Sequence, residues 1–145
     1  MMDLDKLDKV ALVARSRESS AASALQRQQQ ELQSSSSRLE QLQTFKNEYE
    51  ARLQAMSSSG MDARQLADYR RFLAGLNDAI RVQGDEVDRG QERVDASRES
   101  YIDRSLHRGN VDELIGRSRV AQALDDARRE QRLADDDSLA RRREE

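Results

Sequence analysis

Ser57-Ser58-Ser59-Gly60-Met61-Asp62 is the one convincing break in this chain, and its reading decides the fold. Gly60 can take the left-handed backbone conformation that closes a helix. Asp62 is a good N-cap, and Gln65 three residues later completes a capping-box-like pattern. One helix should therefore stop here and another start within a few residues.

Outward from the break, both sides carry a heptad. Before it, the a positions are Leu4, Ala11, Glu18, Leu25, Leu32, Leu39, Lys46 and Leu53, and the d positions are Leu7, Ala14, Ala21, Gln28, Ser35, Leu42, Tyr49 and Met56. Twelve of these sixteen are apolar, against 36% hydrophobic residues in the whole chain. Ser34 to Ser37 is the soft spot, because serine competes for backbone hydrogen bonds. The register nevertheless resumes in phase at Leu39. After the break, Leu66, Leu73, Ile80, Val87, Val94 and Tyr101 occupy a, and Tyr69, Leu76, Gln83, Gly90, Ser97 and Arg104 occupy d. On the d positions alone, the seam weakens away from the turn. Gly84 and Gly90 each cost about 1 kcal/mol of helix propensity.

Two amphipathic helices joined by a short turn fold back on one another. In such a hairpin the numbers of facing residues have a nearly constant total. Tyr49 with Tyr69, Leu42 with Leu76, and Leu32 with Val87 give 118, 118 and 119, so apolar residues meet apolar residues. The predicted fold is all-α: an antiparallel two-helix coiled-coil hairpin with an extended, frayed C-terminal helix. It forms one elongated domain, with helix 1 at about 4–56, the turn at 57–62, and helix 2 at about 63–114. An extension follows over 115–135, and the tail 136–145 is expected to be disordered. His107-Arg108-Gly109-Asn110 is a poor helix segment and a place for a kink. Beyond it Val111, Leu114, Ile115, Ala121, Leu124 and Leu133 are spaced like a helix face without a partner in the chain. Such a stripe is either a partner-binding helix or disordered in isolation.

Composition agrees with this reading and excludes others. Aromatics are 3% of the 145 residues, tryptophan and proline are absent, and charged residues reach 37%. A compact globule needs large side chains to offset the entropy of ordering its chain. A β-rich fold needs turn residues at short intervals. Without cysteine there is no disulfide framework or thiol chemistry. The longest apolar runs, such as Val10 to Ala14, are far short of a membrane span, and no basic start followed by an apolar core marks a signal peptide. Net charge is −3, with both signs mixed throughout. No basic block or stripe would hold a nucleic acid.

Enzyme chemistry finds no foothold. The single histidine, His107, reads as a surface residue, and no metal-ligand spacing or glycine-rich phosphate loop occurs. The many carboxylates read as solvated faces and i,i+4 partners of arginine. Neither a cofactor nor a metal is expected.

Four of the five aromatics lie between residues 45 and 72. Tyr49 and Tyr69 are d residues, for which seam packing suffices. Phe45 and Phe72 both sit at g, and in an antiparallel pair the g flanks of the two helices share one side. They should be neighbours there, with Ala79 at g and with Leu42 and Leu76 leaning in from d. The result is a half-exposed apolar patch, of the kind that marks an interface.

At these residues the chain resembles the flagellar type III export protein FliJ family. The resemblance covers the whole length and is strongest from Leu39 to Val87. It rests on Leu42, Phe45-Lys46-Asn47-Glu48-Tyr49, the turn with Gly60, Tyr69-Arg70-Arg71-Phe72-Leu73, and Leu76, Ala79 and Ile80. The tail from Arg129-Glu130-Gln131 through Asp136 to Arg141-Arg142 also looks like the family's C-terminal end. The resemblance implies a non-enzymatic stalk similar to that of rotary ATPases. Its implied partners are the flagellar export ATPase hexamer, the cytoplasmic domain of the export gate protein, and export chaperones. It implies a cytoplasmic location peripheral to the inner-membrane export apparatus, with membrane association only through partners. The gate-binding residues it implies are Leu42, Phe45, Tyr49, Phe72, Leu76 and Ala79. Arg38 and Gln83 depart from the family, and the ATPase-facing surface is implied only as the end bearing the termini. Two other readings share the physics: the equivalent stalk of a virulence-type secretion system, and a structural coiled coil that self-associates through its g-flank phenylalanines.

Overall fold

The computed structural model describes residues 3–144, which form two helices, α1 (Leu4–Ser58) and α2 (Ala63–Glu144). The helices pack against each other as an antiparallel hairpin. No strand occurs among the described residues, and no described helix is long and apolar enough to cross a membrane.

Local chemistry sets the helix ends. Asp3 caps α1: its carbonyl accepts from the Leu7 amide at 3.1 Å and its carboxylate from the Asp5 amide at 3.2 Å. At the other end, the hydroxyls of Ser57, Ser58 and Ser59 each donate to the carbonyl three residues back, at 3.1, 2.8 and 3.0 Å. These bonds reinforce the carbonyls of the last turn, where intrahelical donors run out. Gly60 follows with φ +93°, a conformation that a β-carbon disfavours. The capping box then forms reciprocally. The Gln65 amide donates to the Asp62 carboxylate at 2.8 Å, and the Asp62 amide donates to the Gln65 side-chain oxygen at 3.4 Å. Asp62→Ala should cost about 1 kcal/mol in chemical denaturation.

Packing divides into two units, one running from Ala21 to Tyr101 and the other comprising the chain up to Ser20 and from Ile102 onward. In the first, the turn unit, the a and d positions of both helices are at least partly buried, except Met56 beside the turn. Its polar layers differ: the Gln28 side-chain oxygen is buried without a hydrogen-bond partner among the described residues, whereas the layer at Ser35 and Gln83 is paired. The Gln83 side-chain amide donates to the Ser35 backbone carbonyl at 3.0 Å, next to a buried Ser35 side chain. Gly90 lies against Leu32, whose Cδ1 would stand 3.2 Å from an added β-carbon. Gly84 has nothing within 4 Å of that position. Gly84→Ala should therefore raise stability by about 1 kcal/mol. At Gly90 the same gain is opposed by displacement of Leu32, so its melting temperature should rise less.

The second, terminal unit holds the best-buried cluster of the chain: Leu7, Ala11, Ala14, Val111 and Ile115, with Leu4 packed against it. This corrects the expectation of a seam that only weakens. Val111 and Ile115 re-enter the register at d and a, and the short side chains of Ala11 and Ala14 leave room for them. Ion pairs flank the cluster: Arg108 with Glu18 at 3.0 Å and Asp112 at 3.3 Å, Arg15 with Asp112 at 3.4 Å, and Arg119 with Asp8 at 3.2 Å.

The expected fraying is also not what is found. α2 continues through Asp135-Asp136-Asp137 to Glu144, although every residue from Arg119 to Glu144 is exposed. No glycine or proline interrupts this stretch. Pairs spaced i,i+4, Asp125 with Arg129 at 3.0 Å and Asp137 with Arg141 at 3.7 Å, support it locally.

Candidate partner-binding patch

The patch lies in the turn unit and is built by both helices. Phe45 of α1 and Phe72 of α2 meet edge-on, with ring centroids 6.2 Å apart and planes at 71°. Edge-to-face approach sets the positive rim of one ring against the negative face of the other. Tyr49 is the hub of the cluster. Its ring lies 4.5 Å from Phe72, 5.2 Å from Tyr69 and 6.3 Å from Phe45. Burial pushes the Tyr49 phenol above its ordinary pKa, and the neighbouring Tyr69 adds to the shift.

Exposure separates the floor of the patch from its face. Phe45 and Phe72 remain 45% and 44% exposed despite their mutual contact. Ala79 is exposed, Leu42 and Tyr49 are half-buried, and Leu76 is buried. Leu42 precedes Phe45 by three residues, and Leu76 and Ala79 follow Phe72 by four and seven, so each helix presents its residues on one face. Two phenylalanines from different helices thus stand on an apolar base, with one face open to a partner. On the far side of Phe45 a shallow groove of about 380 Å³ is lined by Glu40, Gln41, Thr44 and Glu48.

All six residues singled out in the sequence therefore belong to one unit, and the rings among them touch. Of the two departing positions, Gln83 points into the seam, where Ser35 occupies its amide. Arg38 is exposed and lines a different groove, with Arg27, Glu31, Glu86 and Arg93. Sequence reasoning missed the charge pairing of the terminal unit. Its signal was the alternation of Asp8 and Arg15 on α1 against Arg119 and Asp112 on α2, all at e.

Among the described residues no group of three histidine, aspartate or glutamate side chains is placed to hold a metal ion. No curated protein and no solved structure matches the chain. The family model described as "Flagellar FliJ protein" matches residues 2–145, and the chain belongs to that family.

Proposed function

We propose that this chain is a non-enzymatic stalk and adaptor of the flagellar type III export apparatus. It couples the export ATPase ring to the cytoplasmic domain of the export gate protein and escorts export chaperones. The observation that carries this reading is the pair of half-exposed phenylalanines, Phe45 and Phe72, one from each helix and in edge-on contact, in a flagellar-export family. The gate contact is assigned to Leu42, Phe45, Tyr49, Phe72, Leu76 and Ala79. Charges of both signs elsewhere suit a stalk in a ring's pore, since no single salt-bridge geometry locks its orientation. On this reading the protein works in the cytoplasm and reaches the inner membrane only through its partners.

The ATPase arm of the proposal has its own test. Adding the chain to the purified export ATPase should raise turnover or promote hexamer formation. A preparation in which neither quantity moves would remove the stalk role, whatever the patch binds.

A further inference from the structure

In the terminal unit α2 is apolar on two opposite faces. One, with Val111 and Ile115, is buried against α1. The other carries Ile102, Leu106, Val120 and Leu124, all exposed, with Leu106 and Val120 each 62% accessible. From Ile102 the outer face steps alternately by four and three residues: Leu106, Gly109, Glu113, Gly116, Val120, Ala123 and Ala127. Apart from Glu113 these are apolar or small residues at coiled-coil spacing, and a helix apolar on two sides ordinarily lies between two partners. A second observation falls on the same face. Gly109 and Gly116 have nothing within 4 Å of an added β-carbon, so packing against α1 does not explain them. Glycine inside a helix is destabilising relative to alanine, but it lets another helix approach closely.

The outer seam is complementary to itself when read in the opposite direction. With facing numbers totalling 222, Ile102 meets Val120, Leu106 meets Gly116, and Gly109 meets Glu113. The leucine fills the notch left by the glycine, and the longer Glu113 side chain crosses the other glycine. On one flank Asp103, which has no ion-pair partner among the described residues, comes opposite Arg117 of the other copy, whose guanidinium also pairs with its own Glu113 at 2.6 Å. On the other flank Asp112 sits near the two-fold axis with its charge already met by Arg15 and Arg108. We propose that this outer face of α2 is a self-association surface, on which a second copy of the chain packs antiparallel in an isologous contact. It does not involve the aromatic patch, which stays free for its own partner.

Sedimentation equilibrium of the full chain over about 1–300 µM tests this. The wild type should show a reversible monomer–dimer equilibrium. Leu106→Glu should weaken the dimer more than about tenfold, since it places a charge where the leucine fills the notch at Gly116 of the other copy. Asp103→Arg and Arg117→Asp should each weaken it about threefold, and the two together should restore it. Phe45→Ala should leave it unchanged. Circular dichroism checks that each variant remains helical. A wild type that stays monomeric throughout overturns the proposal. So does a dimer indifferent to Leu106→Glu, a dimer lost with Phe45→Ala, or a charge swap that fails to restore association.

Discussion

Leu7→Ala should lower stability by about 3 kcal/mol and release the first turns of α1 from α2. Leu7 is 1% exposed, and its neighbours on α1, Ala11 and Ala14, are too short to fill the space its side chain leaves. Val111 and Ile115 would lose the large apolar contact that they bury against. The Arg108–Glu18 pair, with side chains 33% and 22% exposed, is the better shielded of the flanking ion pairs, and those of Arg15 and Arg119 are more solvated. Arg15 and Arg119 are about two-thirds exposed, and pairs of that kind contribute at most about 1 kcal/mol. Loss of amide-exchange protection over residues 4–20, with the Ala21–Tyr101 unit still protected, is the expected signature. Leu12→Ala is the control. Leu12 is 70% exposed, so its loss should shift stability by less than about 0.5 kcal/mol. Equal effects from the two substitutions would mean that Leu7 does not anchor this unit.

The parts of the fold that were legible in the sequence are those set by local chemistry or strict spacing. Gly60, Asp62 and Gln65 announce the turn because their roles depend on residues at most three positions away. The heptad specifies the seam for the same reason. From the seam, the meeting of Phe45 with Phe72 follows by counting, since two g residues on one side of an antiparallel pair must be neighbours. What failed to read clearly depends on weighing small opposing terms. The acidic triplet at Asp135–Asp137 suggested fraying, whereas intervening alanines, leucines and arginines, with i,i+4 pairs, carry the helix to Glu144. The strength of the terminal unit was hidden by polar d residues from Gln83 to Arg104, which drew attention away from the return of Val111 and Ile115. The outer stripe of α2 is hidden in the sequence because Gly109, Glu113 and Gly116 interrupt its apolar spacing between Leu106 and Val120. The identity of the partner is a different matter. Ring geometry defines an apolar face and its size, while the partner's name enters only through the family.

The largest expected effect on function comes from removing both phenylalanines. Each leaves nearly half of its surface exposed, so truncation removes partner-facing area without opening the hairpin core, which there rests on Tyr49, Tyr69 and Leu76. Exposed aromatic pairs of this kind are the usual anchors of an interface, each worth about 2 kcal/mol or more when a partner covers them. Losing two would weaken binding by roughly a thousandfold, at about 1.4 kcal/mol per decade. A stability loss would instead appear as reduced helicity, which separates the two explanations.

The most direct measurement is titration of the purified cytoplasmic domain of the export gate protein with wild type and with the Phe45→Ala/Phe72→Ala variant, both matched for helicity by circular dichroism. The proposed role predicts saturable binding by the wild type and none by the variant at the same concentrations. Binding by the variant within about twofold of wild type would contradict it.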